Sequence, residues 1–493
     1  MKRVLLRAGK GAFDQVSAED SLTRNTIATN SGNLVFSHAT HKLLSVPGVE
    51  IVPNEHKVDP KQAGKISEEF DAFVVPLANA FRPGFEHKLN ELTELIEKLT
   101  IPVVIFGVGA QAGLDYDLSP MRGLQDAAKR FARAVLEKSP SIGVRGELTE
   151  RYFRELGFSE VDVIGCPSMF LYGDRISVTK DLPELRTDSR VALNVSPHLE
   201  VAPYFEAHPW AKTMGTLVSH HQNAYPNLVY VPQEISALDL MLWGEQASYL
   251  GRTDELPLYA THPLYQEGRM RFFVDPWTWI SFLREQDFVF GTRIHGNITG
   301  LLAGTPSVVI AHDSRTLELA RYFQLPTELI TDVTPETDAR ELYEKADFGP
   351  MESGHPERFG RLLDFMRKHD LACSFTDGNP EEFDLRVSAT SFPEPVSPLT
   401  PQNAPTRLRA LKNDTVALRR DLKRLEKKVS QQDKKLQATE KERAALQARV
   451  DELSAHSNEL THRLQAVENK LRQQPWRLRR RVGRVLRKLG LRR

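Results

Sequence analysis

The fold is decided by one stretch, Phe288-Val289-Phe290-Gly291-Thr292-Arg293-Ile294-His295-Gly296-Asn297. Its three leading hydrophobic positions predict a short buried strand, and residues 297–303 predict a helix that ends at Gly304. Arg293 and His295 then lie at a helix N-terminus, where free backbone N–H groups and the helix dipole favour an anion. A guanidinium matches carboxylate or phosphate, and an imidazole can exchange a proton. Spacing alone also allows a structural His and an Arg that caps a neighbouring helix.

Hydrophobic runs typical of buried strands alternate with helical patterns over most of the chain. They form two series, separated by the turn-rich segment 172–189. Short strands separated by helices predict parallel sheets covered on both faces, and ligands bind beyond the carboxyl ends of such strands. Because Arg145, Arg293 and His295 all follow strands, we expect them to meet in a cleft between two Rossmann-like domains. The predicted strands are 73–75, 103–106, 142–144, 161–164, 191–195, 228–231, 272–274, 288–290 and 308–310.

Several sequence elements, taken in order, resemble the polysaccharide pyruvyl transferase family. Arg293-Ile294-His295, followed by a small-residue helix and a strand, is similar to the C-terminal motif of that family. Asn30-Ser31-Gly32-Asn33 resembles its Asn-x-Gly-Asn/Asp loop near the N-terminus. In mid-chain, the strand that ends at Arg145 and the later Gly165-Cys166-Pro167 resemble its strand, Arg and Gly-x-Pro succession. The likeness covers approximately residues 25–330.

The resemblance implies an α/β fold with two Rossmann-like domains in a GT-B-like arrangement. It implies an enzyme that transfers a pyruvyl group from phosphoenolpyruvate to a sugar of a polysaccharide or glycolipid, forming a ketal. Phosphoenolpyruvate would be the donor substrate, and no cofactor is expected. His295 would be the catalytic general acid, and Arg293, Arg145 and Asn33 would bind substrate. The family often has an acidic residue after the mid-chain Arg and an Asp in the Gly-x-Pro element, where this chain has Gly146 and Cys166.

Two other functions stay open. A GT-B-like glycosyltransferase would bind a nucleotide sugar in the cleft, and a scaffold would depend on its coiled coil rather than on His295. The glycines of segment 107–113 are spaced one residue too far apart for a dinucleotide fingerprint, and no P-loop Lys follows, so we predict a turn that lines the cleft. The pairs His38/His41 and His220/His221 have no carboxylate or Cys beside them in the sequence, so we predict no metal site.

Composition is consistent with a globular protein of two or three domains, with 40% hydrophobic and 26% charged residues in 493. The two cysteines, Cys166 and Cys373, argue against a disulfide scaffold and favour a reducing cytosol. Residues 1–14 lack the hydrophobic core of a signal peptide, and the chain has no run of 18 hydrophobic residues. We therefore expect a cytoplasmic protein.

The C-terminal part differs sharply in charge, because residues 405–493 hold 26 Lys and Arg against 10 Asp and Glu. In it, a regular alternation of steps of three and four residues predicts a coiled coil of about nine heptads, roughly 95 Å long. Such a seam predicts self-association, since a lone helix would leave it in water. Thr415, Gln432, Thr439, Arg443 and Ser457 interrupt it. Its hydrophobic positions are Leu411, Leu418, Leu422, Leu425, Val429, Leu436, Leu446, Val450, Leu453, Leu460, Leu464, Val467 and Leu471.

A second, shorter amphipathic helix is predicted after Pro475. Leu478, Val482, Val485 and Leu489 share one face, and the rest is mainly Arg and Lys. Nucleic acid could also bind this charge, but the aligned hydrophobic face and Trp476 favour an anionic membrane surface. We therefore predict a peripheral protein at the inner face of the membrane, with no nucleic-acid partner. The predicted segments are two Rossmann-like domains (1–175 and 185–375), a Pro-rich linker (376–405), the coiled coil (406–473) and the basic tail (475–493).

Overall fold

The computed structural model describes residues 1–82, 84–196, 209–244, 256–472 and 483–490. Contacts divide the chain into two compact units, Met1–Thr400 and Pro401–Arg493. The first unit, called the body below, contains every strand among the described residues, and the second is helical.

The N-terminal half of the body is built on parallel strands. Its main sheet contains β1 Lys2–Leu6, β2 Val49–Pro53, β3 Ala72–Pro76 and β5 Val103–Phe106, in the order β2-β1-β3-β5. Two parallel pairs extend it, β4 Asn79–Phe81 with β6 Gly109–Ala110 and β7 Ile142–Val144 with β8 Val161–Val163. The helices of this half are α1 Ala18–Arg24, α2 Gly32–Leu44, α3 Ala63–Glu69, α4 Glu86–Lys98, α5 Gln125–Leu136 and α6 Glu147–Glu155.

The C-terminal half of the body has one five-stranded parallel sheet. Its strands are β9 Val191–Asn194, β10 Val229–Tyr230, β11 Phe288–Gly291, β12 Ser307–Ala311 and β13 Thr327–Leu329, in the order β10-β9-β11-β12-β13. The helices of this half are α7 Pro209–Ala224, α8 Ile235–Trp243, α9 Pro263–Gln266, α10 Pro276–Arg284, α11 Ile294–Leu302, α12 Ser314–Phe323, α13 Ala339–Lys345, α14 Gly349–Lys368, α15 Ser374–Asp377 and α16 Pro380–Ala389.

The two halves share a hydrophobic core. One cluster of buried side chains includes Val74 and Phe106 from the first sheet together with Val289 and Val309 from the second. Helix α14 also returns to the first sheet, where the ring of Phe365 lies 5.4 Å from that of Phe106. Burial of hydrophobic surface from both sheets in one cluster holds the halves together.

The predicted α/β class with two Rossmann-like parallel sheets is confirmed. The carboxyl ends of β8 and β11 face each other, because Cys166 and His295, which follow these strands, are in contact. This is the GT-B-like arrangement expected from the sequence. One predicted strand is wrong, since 272–274 makes only an isolated bridge, between Phe272 and Val396. The first two strands, β1 and β2, were not among those predicted.

The segment predicted as a Pro-rich linker, 376–405, largely belongs to the body. It contains the whole of α16, and the bridge from Val396 attaches the following residues to Phe272. The backbone N–H of Leu399 also donates to the hydroxyl of Tyr265 at 3.2 Å. Prolines set an extended backbone here, but pairing with the body stabilises it.

The second unit is dominated by one helix, α17 Ala404–Arg472, which has 69 residues. Its hydrophobic seam is exposed along its length, with Leu418 63%, Leu446 65% and Leu464 50% accessible. Residues 483–488 form a further helical turn, and Val485 and Leu489 are exposed there. The rest of the predicted basic tail, 475–482 and 491–493, lies outside the described residues. Within the described ranges, no helix combines the length and the hydrophobicity that crossing a membrane requires.

Candidate functional site

Arg293 is the N-cap residue of α11, so this helix begins three residues earlier than the sequence predicts. Asn194, at the end of β9, fixes the position, because its Oδ1 accepts the backbone N–H of Arg293 at 2.9 Å. Asn297 holds the same turn by donating to the carbonyl oxygens of Gly291 and Arg293 at 2.9 and 3.0 Å. The side chain of Arg293 is mostly buried, with 13% of it exposed, and forms an ion pair with Glu234. Its guanidinium is therefore fixed at a strand end.

His295 lies in the first turn of α11 and is almost fully buried. Its ring faces Phe36 of α2, with centroids 5.5 Å apart. Helix α2 can approach this closely because it begins with a glycine: a Cβ on Gly32 would lie 2.8 Å from the Cβ of His295. On the other side, Nε2 of the imidazole is 3.6 Å from Sγ of Cys166. The predicted N-terminal loop, the Gly-x-Pro element and the C-terminal motif thus meet at one imidazole.

Arg145 follows β7 and reaches the same region from the N-terminal half. It is buried, and its Nε donates to the carbonyl oxygen of Gly107 at 3.0 Å. A Cβ on Gly109 would come within 2.8 Å of the Arg145 side chain. Gly109 therefore leaves room for the side chain of Arg145.

Two further arginines belong to this site, and the sequence did not identify them. Arg315, in the first turn of α12, and Arg82, after β4, lie close enough that their charges affect the other basic groups. Burial, with contributions from Arg315 and Arg145, lowers the pKa of Arg82 to about 10. Arg315 has 27% of its side chain exposed, so it is accessible from solvent. We call Arg82, Arg145, Arg293 and Arg315 the arginine cluster.

Burial and three members of the arginine cluster, Arg145, Arg293 and Arg315, keep the imidazole of His295 neutral. Burial lowers the pKa of His295 to about 3, and the positive charges of Arg145, Arg315 and Arg293 contribute to the shift. Burial likewise lowers the pKa of Arg293 to about 9, with Arg315 contributing. Glu234 pairs with Arg293, and Asp313 pairs with Arg315. The four arginines still outnumber the nearby carboxylates Glu234, Asp313 and Glu318, so the site is suited to an anionic ligand.

Asp313 and Asn33 have structural contacts at the edge of the site. Asp313 is the N-cap of α12, accepts the N–H groups of Arg315 and Thr316, and pairs with the Arg315 guanidinium at 2.6 Å. Burial would raise the pKa of Asp313, but Arg315 and His312 outweigh burial and hold it well below its usual range. Asn33 donates from Nδ2 to the carbonyl oxygens of Ile27 and Ala28 at 3.0 and 3.2 Å. Its amide thus holds the loop that carries Gly32.

Glu318 is a buried carboxylate next to the site that sequence reasoning did not assign. Its two oxygens accept the backbone N–H and the hydroxyl of Thr149, at 2.7 and 3.0 Å, in the first turn of α6. A Cβ on Gly146 would lie 2.5 Å from its Cγ. Burial raises the pKa of Glu318 to about 7, although Arg145 opposes the shift. The chain thus places a carboxyl group against Gly146, where the family often has its own acidic residue.

One group of potential metal ligands lies away from the site. His220, His221 and Asp338 place their ligand atoms within 4.8 Å of one another, so the pair does have a carboxylate partner, from a distant part of the sequence. Both nitrogens of His221 are occupied, Nδ1 by the carbonyl of Leu217 at 2.8 Å and Nε2 by the N–H of Ala339 at 2.9 Å. Asp338 also caps α13. These contacts give the group a structural role.

A cavity of about 620 Å³ is also separate from the site. It lies between α10 and α16 and is lined by aromatic side chains that include Tyr172, Trp277 and Phe392. None of its lining residues belongs to the arginine cluster. We therefore identify the strand-end site as the candidate functional site by its chemistry and not by cavity size, because cations and an imidazole lie together there.

The sequence model of the family described as polysaccharide pyruvyl transferase matches residues 30–314, which is more than half of the chain. The chain belongs to this family. The match spans the loop at Gly32, Arg145, the Gly-x-Pro element, the Arg-Ile-His motif and the start of α12. The resemblance inferred from the motifs is thus confirmed, and so is the prediction of an enzyme, since pyruvyl transferases are enzymes. No curated protein matches the chain.

Solved structures with some likeness have low identity and low TM-scores. A putative UDP-N-acetylglucosamine 2-epimerase from Listeria monocytogenes is 11% identical, with 80% of this chain and 98% of that one covered and a TM-score of 0.37. The UDP-GlcNAc 2-epimerase of Methanocaldococcus jannaschii is 11% identical, with coverage of 74% and 100% and a TM-score of 0.38. An uncharacterised protein from Klebsiella pneumoniae is 13% identical, with coverage of 65% and 88% and a TM-score of 0.33. These likenesses assign no activity to the pyruvyl transferase chain.

Proposed function

We propose that this protein transfers the pyruvyl group of phosphoenolpyruvate to a sugar of a polysaccharide or glycolipid, forming a ketal and releasing phosphate. The supporting observation is the arginine cluster around His295 at the facing strand ends. Phosphoenolpyruvate carries a carboxylate and a phosphate, so it requires several cations in one place. A neutral sugar alone would not require them.

The four arginines have different positions and therefore different roles. The side chain of Arg145 is buried and donates to the backbone of Gly107, and the guanidinium of Arg293 is held by Glu234, so both bind the donor in one orientation. Arg315 is partly exposed, so it binds the part of the donor's negative charge that stays accessible from solvent. Asn33 supports the site because its side-chain amide holds the Gly32 loop. A direct contact between its side-chain oxygen and the substrate stays a prediction.

His295 is the general acid of the proposed reaction. In the absence of substrate its pKa is about 3 because burial and the arginines disfavour the imidazolium. A bound phosphate and carboxylate would offset these positive charges and raise that pKa. The protonated ring then gives its proton to the methylene carbon C3, and C2 becomes electrophilic enough for attack by a sugar hydroxyl. The reaction needs no cofactor.

The test is an incubation of the purified full chain with phosphoenolpyruvate and a membrane glycolipid extract. Mass analysis should find a pyruvyl ketal on a glycan, together with released phosphate. Binding of the donor is measured separately by calorimetry, with nucleotide sugars as competitors. Displacement of phosphoenolpyruvate by a nucleotide sugar, without any pyruvyl product, would instead support a glycosyltransferase.

The acceptor is proposed to be near a membrane because of the C-terminal unit. Exposed Leu and Val side chains along α17 need a partner helix to bury them, and a second copy of the chain supplies the same seam. The basic tail after Pro475 is proposed to hold this oligomer on anionic lipid. A protein held there meets lipid-linked glycans at the inner face of the membrane.

A further inference from the structure

Cys166 contacts the proposed general acid directly. It follows β8 and is 1% exposed, and its Sγ lies 3.6 Å from Nε2 of His295. The hydroxyl of Ser168 donates to the same Sγ at 3.0 Å. The sulfur is thus held between a hydroxyl group and an imidazole nitrogen.

Charged side chains of both signs lie near the pair. Burial lowers the pKa of Arg145, and its interactions with Cys166 and Glu318 oppose the shift, so the sulfur lies close to a guanidinium. Both oxygens of Glu318 are bonded to Thr149, and Asp313 stays ionised against Arg315. Arg145 after β7, Arg293 before α11 and Arg315 from α12 act on His295, and their carboxylate neighbours are Glu234, Asp313 and Glu318.

We propose that the Cys166 thiol supplies the proton that His295 delivers to the donor, an inference that rests on the proposed pyruvyl transfer. When phosphoenolpyruvate binds, the S–H bond breaks and an N–H bond forms at Nε2, leaving a thiolate beside an imidazolium. His295 then passes this proton to C3 of the donor, and the first sugar hydroxyl adds to C2. The proton of that hydroxyl restores the thiol. The second hydroxyl displaces phosphate, and its proton leaves with the phosphate, so no oxidant or reductant is required.

This role gives a chemical meaning to the departure from the family pattern at this position. An Asp in the Gly-x-Pro element would stabilise an imidazolium by its charge, whereas Cys166 does so only after losing its proton. In this chain, the charged form of His295 is therefore produced by donor binding.

The direct test measures the ultraviolet absorbance of the thiolate in the full chain during titration with phosphoenolpyruvate. The background is Cys373→Ser, which leaves Cys166 as the single thiol, and the matched control is Cys166→Ser, which leaves Cys373. Burial raises the pKa of Cys373 to about 11, so this control should stay silent at neutral pH. We expect one thiolate per chain to appear at saturation at pH 7, and no signal in a His295→Gln variant, which lacks the proton acceptor.

A kinetic measurement separates proton supply from a structural role. Cys166→Ala should lower kcat about 10²-fold, the lower end of the effect of losing an acid–base group. Its KM for phosphoenolpyruvate should change little, and Cys166→Asp should recover much of the rate with an altered pH profile. Calorimetry on the same samples reports donor binding. Binding without thiolate formation, or an unchanged kcat in Cys166→Ala, would overturn the inference, whereas absence of binding would overturn the proposed function itself.

Discussion

The imidazole of His295 is positioned by residues whose small size matters more than their chemistry. Gly32 lets α2 contact the ring, and a Cβ on Gly296 would come within 2.7 Å of the Gln233 side chain. Gly291 has a φ of 143°, and a Cβ there would collide with the carbonyl oxygen of Asn194. Larger residues at these positions would displace the turn that carries Arg293 and His295. Proton transfer depends on this geometry to within a fraction of an ångström.

The first prediction distinguishes the roles of two neighbours in the Arg-Ile-His motif. His295→Ala should lower the turnover rate by about 10²–10⁴-fold, because the proton donor is lost. Donor binding should stay largely intact, because no positive charge is removed. Arg293→Ala should weaken binding, because a fixed charge is lost. Calorimetry and phosphate release measure the two effects. His87→Ala on α4, an exposed histidine, is the control. Near-normal turnover of the His295 variant would exclude the proposed mechanism.

The second prediction concerns Arg315, which only the structure places at the site. Arg315→Ala should weaken phosphoenolpyruvate binding by roughly 10- to 100-fold, the equivalent of losing a charge-assisted hydrogen bond of about 1.5–3 kcal/mol. The matched control is Arg361→Ala, since Arg361 is an exposed arginine paired with Glu357 at 2.7 Å on α14. Equal donor affinity in the two variants, measured by calorimetry, would remove Arg315 from the site.

At the level of elements, helix α12 joins the two halves of the body through residues spaced four apart. The hydroxyl of Ser314 accepts the N–H of Ala112 at 2.7 Å, Glu318 accepts from Thr149, and the hydroxyl of Tyr322 donates to the carbonyl of Val163 at 3.2 Å. Positions four apart lie on one face of a helix. That face therefore lies against the strand ends of the N-terminal half. Arg315, the residue after Ser314, lies at the site for this reason.

The third prediction uses the pH dependence of the central contact on this face. The pKa of Glu318 is raised from 4.5 to about 7, so the folded protein holds a proton that the unfolded chain has lost between these pH values. The free energy of unfolding should therefore fall as pH rises through this range, by up to roughly 3 kcal/mol from this one group. The Glu318→Gln variant has no titratable group at this position, so its free energy of unfolding should lack this pH-dependent contribution.

Denaturant unfolding of both proteins at pH 5 to 8 measures the difference. The control exchange is Glu352→Gln on α14, where the carboxylate of Glu352 accepts the N–H of Val178 at 2.7 Å. If the free energies of unfolding of wild type and Glu318→Gln differ by a constant amount across this pH range, Glu318 is ionised throughout it.

Local sequence patterns predicted the parts of the site that depend on one strand and the next helix. Arg293, His295 and Arg145 each follow a hydrophobic run, so their place at strand ends follows from the order of elements. Arg315 and Glu318 could not be found in this way, because their roles depend on how α12 lies against the other half of the body. The contact of Cys166 with His295 is of the same kind, since 128 residues separate them in the chain.

Among the elements, the errors arose where tertiary contacts outweigh local pattern. Residues 272–274 are hydrophobic because they are buried in the core, and they make only one bridge. The segment 390–399 contains prolines typical of a linker, yet Val396 is buried against the body. Strand β2 is only half-buried, and its residues form no continuous hydrophobic run.

For the whole molecule, the fourth prediction separates the body from the helical unit. Truncation after Pro405 should leave a folded body, since residues 1–400 form a compact unit with their own core. It should also abolish oligomerisation, because the exposed seam of α17 is lost. Each Leu that a partner helix buries contributes about 1.5–3 kcal/mol at most. Light scattering on both proteins measures their mass. An equal oligomeric state for the truncated and full chains would show that the body associates by itself.

The fifth prediction depends on both parts of the second unit acting together. Nine Lys and Arg lie between Trp476 and Arg493, each worth about 1 kcal/mol at best near an anionic surface. One such helix, with a short hydrophobic face that includes Val485 and Leu489, should bind reversibly. Self-association would present two or more tails on one particle, so that once one tail is bound the others meet the surface at high effective concentration. Residence on the membrane should then rise by orders of magnitude.

Sedimentation with lipid vesicles tests this dependence through two deletions. Removal of residues 476–493 should release the protein from vesicles that contain anionic lipid, and raised salt should do the same for the full chain because it screens the charges. Removal of the coiled-coil segment with the tail retained should weaken binding without ending it, since single tails still bind. Neutral vesicles are the control. Retention of the tail-less protein on anionic vesicles, or equal binding of the full chain to neutral ones, would show that another surface of the molecule contacts the membrane.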